Sequence, residues 1–419
     1  DYFVYKCDSI CSLSNILGLL TMGTQSQMLT MLFNESGGTM GDLRQAAIVG
    51  VYMTEQGSLS DRTSGSLYVE AVKGALADAG LTPKEVDGII GPGPEGAGLA
   101  GDFSDNFGSP LRFHAQTGVG ASSGSAGLGL AAMAISHGYA DVVIAATASG
   151  GAVRPRAAGS RGPGTGGFDS IWGTTRASDY AMVARRHMHD YGTTSEQLAE
   201  VAVAARKHAT LNPGSVMGGR GEITTEEVMN SRLIADPLHL FDCCLVNNGG
   251  GAVVMTSLER ARSLRKAPVV MLGWGEGFAF YDLMSSPTLT SFGGVAAANT
   301  AFGQAGVSRE DIHVVSVSDH FSIDVLIELE DVGFCKKGEG GAFVEDGALQ
   351  IGGRLPTNTD GGFLSGSHGA SCGLYSITEL VRQLRGEAGD HQVPNVQLAS
   401  VHGTGGAFQG QYTAIFARG

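Results

Sequence analysis

A chain of 419 residues is too long for one simple core and suits two packed sub-domains. Its 42% hydrophobic and 16% charged residues are those of a globular protein, and 65 glycines, roughly twice the usual share, imply tight turns and close backbone approaches. A net charge of -14 argues against nucleic acid or an anionic membrane as partner, while leaving room for a small anionic ligand at a basic patch or helix N-terminus.

Residues 1–39 lack clear periodicity and are treated as an N-terminal extension of unknown role. Within them Ser9 to Met22 is interrupted by Ser and Asn and preceded by Lys6 alone. No apolar run reaches the roughly 18 to 20 residues of a membrane span, so neither a span nor a secretory signal is expected. From residue 40 the text becomes regular, and QAAIVGVYM (45–53) reads as a buried strand. ALADAGLTPKEVDGII (75–90) is a helix ended by Ala-Gly, a polar start signal and a strand. SAGLGLAAMAISHGYADVVIAATASG (125–150) is a helix feeding a buried strand.

An insertion follows over 150–240. It opens with GGAVRPRAAGSRGPGTGG (150–167), whose Arg154, Arg156 and Arg161 are candidates to meet an anion. It continues as the helices ASDYAMVARRHMHDYG (177–192) and TSEQLAEVAVAARKHAT (194–210). The strand GAVVMTS (251–257) closes a first half, residues 40–265.

The second half, 266–419, repeats the first. TAFGQAGVSREDIHVVSV (300–317) answers the 75–90 segment, while GLYSITELVRQLRG (373–386) with VQLASVHGTGG (396–406) answers 125–150. QYTAIFAR (411–418) closes it. The six cysteines, Cys7, Cys11, Cys243, Cys244, Cys335 and Cys372, form no zinc-like or redox-like pair of pairs. They predict reduced thiols in a cytoplasmic protein, with no metal site.

From about Gln45 onward the chain resembles the thiolase superfamily, most closely its lipid-transfer-protein or sterol-carrier-linked branch. The resemblance is carried by the duplication and by four segments in family order. They are ADVVIAATASG (140–150), YGTTSEQLAEVAVAARKHATLNP (191–213), GGGAVVMTSLERAR (249–262) and TNTDGGFLSGSHGASCGLYSITELVRQLRG (357–386). It implies an α/β, thiolase-like fold of two duplicated halves about a pseudo-twofold axis, in αβαβα layers with an inserted loop domain. It also implies an acyl-CoA thioester as substrate, no separate cofactor and a homodimer. A small zinc-ribbon and OB-fold acyl-CoA-binding protein is the further partner that the branch suggests.

In the family a cysteine nucleophile begins one central helix, a histidine in a Gly-His-Pro turn activates it, and a late cysteine shuttles a proton. Carried over, the nucleophile position falls on Ala121, which has no lone pair and cannot be acylated. Ser122 and Ser123 follow it, but each helical step rotates a side chain by about 100°, so N-capping suits them better than substitution. Ala121 and Ser122 stay as substrate-binding candidates. The Gly-His-Pro turn becomes SGSHGASCG (365–373), one residue short, so either His368 or Ser367 takes the histidine position. The late cysteine becomes His402, followed by Gly405 and Gly406, which let backbone amides approach the reacting centre. The family's oxyanion-hole turn becomes Ser318, Asp319, His320 and Phe321. There Asp319 either orients a histidine or caps the following helix, and His320 is an added acid/base group. Cys372 reads as a packed thiol.

Losing the nucleophile while keeping acid/base groups removes thiolysis by an acyl-enzyme but not retro-aldol cleavage. That reaction needs a base for a β-hydroxyl and donors for a thioester enolate. Enzymes of the branch that this chain resembles shorten steroid or other branched side chains in this way, so the resemblance implies a carbon-carbon lyase of lipid or steroid side-chain degradation. Two alternatives stay open: an acyltransferase with a relocated nucleophile, and a non-catalytic acyl-CoA-binding subunit.

Overall fold

The computed structural model describes residues 42–94, 99–118, 123–153, 174–280, 283–369 and 372–419. Residues 1–39, Ala121, Ser122, Arg154, Arg156 and Arg161 lie outside these segments. Leu43–Gly419 forms one compact unit.

The order of elements follows the duplication. β1 (Ala46–Met53) leads to α1 (Ser64–Ala79), β2 (Gly88–Pro94), α2 (Leu99–Phe107), β3 (Phe113–Ala115), α3 (Ser123–Ser136) and β4 (Val142–Ser149). The insertion contributes α4 (Arg176–Tyr191), α5 (Ser195–Leu211), α6 (Thr225–Asn230) and the small hairpin of β5 (Leu233–Ala235) and β6 (Leu238–His239). β7 (Gly249–Ser257) returns to the main sheet. Then come β8 (Val269–Phe278), α7 (Gly294–Ala305), β9 (Val314–Val317), α8 (Ser322–Val332), α9 (Cys372–Arg385), β10 (Leu398–Gly405) and β11 (Gly410–Arg418).

Local chemistry sets these boundaries. The Oγ atoms of Thr63, Thr175, Thr194 and Thr224 accept the N–H three residues on, so each caps the helix that follows it. α1 and α7 both end at a left-handed glycine, Gly80 (φ 75°) and Gly306 (φ 69°), at matched places of the repeat.

The strands form one mixed sheet in the order β3-β2-β4-β7-β1-β8-β11-β10-β9. β1 and β8 meet antiparallel at the centre through Ala47↔Val270 and Ile48↔Val269. Outward from that seam the order β1, β7, β4, β2 is answered by β8, β11, β10, β9, which is the pseudo-twofold arrangement of two halves.

α3 and α9, one from each half, pack into a shared apolar core. Leu128, Ala131 and Ile135 lie there with Leu374, Ile377 and Val381, beside Val253, Met271 and Ala414 of the sheet. Gly124 and Leu374 bring the first turns of the two helices together: a Cβ on Gly124 would stand 3.0 Å from the Leu374 side chain. α7 covers the other side of β8 at very short range. A Cβ on Gly273, Gly275 or Gly277 would lie 2.1, 2.2 or 2.0 Å from a carbonyl oxygen of α7 or of Gly293 just before it. Only glycine fits there. Among the described residues no helix is long and apolar enough to cross a membrane.

Candidate active site

Three segments meet at the C-terminal ends of β9 and β10. They are Ser318–Phe321 after β9, the single π turn Gly362–Gly366 with Ser367 and His368, and the end of β10. Asp319 joins the first two. Its Oδ1 accepts the N–H of Phe363 at 2.7 Å and its Oδ2 that of Leu364 at 3.1 Å. Gly362, at φ 58°, lets the turn fold onto this carboxylate, since a Cβ there would lie 2.2 Å from Oδ2. Burial pushes Asp319 up to about 7, against the pull of those two N–H groups. The sequence offered Asp319 as the orienter of a histidine or the cap of α8. Both its oxygens instead hold the turn that carries His368.

His368 is fixed on three sides. Its N–H donates to Asn247 Oδ1 at 2.8 Å, and its Nδ1 lies 3.0 Å from the Leu245 carbonyl and 3.4 Å from Cys244 Sγ. A carbonyl only accepts, so Nδ1 carries the proton and Nε2 keeps the lone pair. Nε2 is buried with no partner. Desolvation, with His320 adding to it, pushes the imidazole down to about 3 and so keeps it neutral. Ser367, the other residue at this position, is bonded on both sides: it accepts from Asn247 Nδ2 at 2.9 Å and donates to Gln56 Oε1 at 2.8 Å.

His320 stands edge-on to His368, with ring centroids 5.1 Å apart. Its Nδ1 lies 3.1 Å from Asp324 Oδ2 on α8. Burial pushes His320 down to about 4 and Asp324 well above the carboxylate range, so desolvation disfavours the charged form of each. Ser318 ties β9 to the third segment. Its N–H donates to Glu328 Oε2 at 2.8 Å, and its Oγ accepts the Thr404 N–H at 2.9 Å. Glu328 is likewise raised by burial.

His402, on β10, has Nδ1 2.7 Å from Thr413 Oγ1, and burial pushes it down to about 4. Gly405 pairs with Gly410, and the Gly406 carbonyl accepts the Tyr180 hydroxyl at 3.0 Å. The two glycines thus close the β10–β11 turn. Tyr180 in turn stacks on Phe321 at 4.5 Å.

Sequence reasoning missed Asp324, Glu328, Asn247, Cys244 and Tyr180. For the two carboxyls the signal was present as acidic residues four apart inside the otherwise apolar helix of SIDVLIELEDVGF. For the others nothing local marks them. The assembled interior is polar, and burial disfavours the charged forms of its imidazoles and carboxyls alike. Among the described residues no three His, Cys, Asp or Glu side chains could together hold a metal ion.

Residues 275–418 match the family described as Thiolase C-terminal domain-like. The chain is 36% identical over 393 residues to an acetyl-CoA acetyltransferase of Methanothermobacter thermautotrophicus, covering 90% of this chain and all of that one. It is 39% identical over 360 residues to the 17-hydroxy-3-oxo-4-pregnene-20-carboxyl-CoA lyase of Mycobacterium tuberculosis, covering 82% of this chain and 92% of the relative. The solved Ltp2-ChsH2(DUF35) aldolase superposes with a TM-score of 0.81 at 35% identity, over 91% of this chain and 99% of that one. The chain belongs to the thiolase superfamily, in its lipid-transfer-like branch.

Proposed function

We propose that this protein is a carbon-carbon lyase that cleaves a β-hydroxyacyl-CoA thioester by a retro-aldol step, as in the shortening of lipid or steroid side chains. The observation that carries this reading is His368, whose Nε2 lone pair is buried, unpartnered and held in place through Nδ1. Nε2 takes the proton of the β-hydroxyl. The bond between the α- and β-carbons breaks, its electron pair passes to the thioester as an enolate, and an aldehyde or ketone forms at the β-carbon. The imidazolium then returns its proton to the α-carbon, so atoms and charge balance. His402, at the end of β10, adjoins the Ser318 turn, its carbonyl accepting the Ser318 N–H at 3.2 Å. Asp324 acts through His320, and Asp319 through the turn that carries His368.

The kinship with an aldolase and an acyl-CoA lyase supports this reading. So does alanine at position 121, where an acyl-enzyme would need a nucleophile. The test is incubation with a β-hydroxyacyl-CoA and mass analysis of products. Release of a carbonyl compound and a shortened acyl-CoA is expected, and His368→Ala should lower the rate by about 10²–10⁴-fold. Full activity in that variant would refute the assignment.

A second reading turns on one contact. Cys244 Sγ lies 3.4 Å from His368 Nδ1, and an acyltransferase with a relocated nucleophile would need that nitrogen to give up the proton it donates to the Leu245 carbonyl and act as the base. An acyl adduct in the intact mass, lost in Cys244→Ala, would select that reaction, and its absence during turnover selects the lyase. Homodimerisation and an acyl-CoA-binding partner are proposed as well. Light scattering tests the first, and co-purification from the native source tests the second.

A further inference from the structure

β10 and β11 present four polar side chains to the underside of α7. Their register pairs His402 with Thr413 and Thr404 with Gln411, so all four lie on one face. None is more than 2% exposed.

The other half shows what the fold alone requires at these places. Aligned from their first residues, β4 matches β10 and β7 matches β11, with the pairs Ala146↔Ala252 and Ala148↔Gly250 standing where His402↔Thr413 and Thr404↔Gln411 stand. The Ala-Gly ends of α1 and α7 place Tyr68 opposite Gly294 in the same comparison. The first half therefore closes this layer with alanine, glycine and one tyrosine, whose buried hydroxyl is, among the described residues, the single polar atom it leaves there without a partner. A buried polar group without a partner bears the cost of its lost hydration. The second half instead buries His402 Nε2 and the Gln411 amide in this layer, where no well-formed hydrogen bond satisfies them and Gln411 is the side chain that acts on the imidazole. These atoms are neighbours. A Cβ on Gly294 would stand 2.5 Å from Gln411 Oε1 and 3.1 Å from His402 Nε2. Glycine in the first turn of α7 is what admits the imidazole and the amide together.

We propose that Gln411 is a positioning residue for His402: Thr413 Oγ1 holds Nδ1 while the Gln411 carbonyl oxygen stands beside Nε2, and together they keep the ring as the neutral Nε2–H tautomer. A polar layer that the fold does not need is thereby explained as part of the site. Glu328 of α8 reaches the same strand end through Ser318, whose N–H also donates to the His402 carbonyl at 3.2 Å. For its kinetic consequence the inference rests on the lyase reading; for the state of the ring it does not.

The experiment is imidazole ¹⁵N NMR of the full chain with labelled histidine, His402 being assigned by loss of its signals in His402→Gln. Wild type should show Nε2–H throughout pH 5 to 8. Gln411→Met, of similar size but without the amide, should mix the two tautomers, shift the acid limb of the activity profile and lower kcat about tenfold with KM unchanged within twofold. Gln411→Glu, which restores an oxygen, should recover the tautomer, and Gly294→Ala, which displaces the amide, should reproduce the Met variant. Unchanged His402 shifts in both Gln411→Met and Gly294→Ala would overturn the proposal. If the shifts change as stated while no form of the protein cleaves a β-hydroxyacyl-CoA, the positioning role stands and the lyase reading falls.

Discussion

Burial disfavours the charged form of four histidines. His320, His368 and His402 are all pushed down by burial, and so is His208, which lies on α5. His208 Nδ1 donates to the Asn358 carbonyl at 3.1 Å, and its Nε2 accepts the Ile351 N–H at 3.1 Å. Protonation would break the second bond. Its folded value of about 4 lies below the usual 6.5, so between these limits the unfolded chain binds a proton that the folded chain does not. The stability it confers is present above pH 6.5 and is lost as pH falls toward 4. Asp319, raised to about 7, has the opposite sign: its contribution is lost as pH rises through 7. Urea unfolding at pH 7 and pH 4.5 should therefore show wild type losing about 2 kcal/mol more than His208→Gln over that interval. Equal losses would mean that His208 does not titrate between the two states.

At the scale of elements, the approach of α7 to β8 decides where His402 and Gln411 lie. Gly273, Gly275 and Gly277 alternate along one face of β8 and meet α7 backbone, not flexible side chains. Gly273→Ala would bring its methyl group to 2.1 Å from the Ala301 carbonyl oxygen, so helix and strand must part. The expected destabilisation is about 1–3 kcal/mol by thermal or denaturant unfolding, and a neutral effect would show that α7 can shift freely. The π turn shows the complementary case. Its shape comes from one carboxylate, Asp319, brought to it from 44 residues away in the chain.

At the scale of the whole molecule, the two halves share one core. Ala126, Leu128 and Ala131 of the first pack with Leu374, Ile377 and Leu380 of the second. We therefore expect residues 43–419 to unfold in one cooperative transition and residues 266–419 alone to lack one, since half of that core would face water. Calorimetry of both forms checks this, and a sharp transition in the isolated half would refute it.

How much of this was legible in the sequence depends on the range of the interactions involved. Local signals fixed the repeat: capping threonines, left-handed glycines and apolar periodicity act over three or four residues and are written in order. Alanine at position 121, where the family resemblance implies a nucleophile, is likewise a matter of one residue's identity. The site was legible only in part. Sequence reasoning offered His368, His402, His320 and Asp319 as candidates, but not what each holds. Asp319 carries a turn, His368 has its proton placed by Leu245 and a contact to Cys244, and His402 faces Gln411. Those roles depend on contacts between residues far apart in the chain and on burial that moves each pKa by desolvation, so only the tertiary structure decided them.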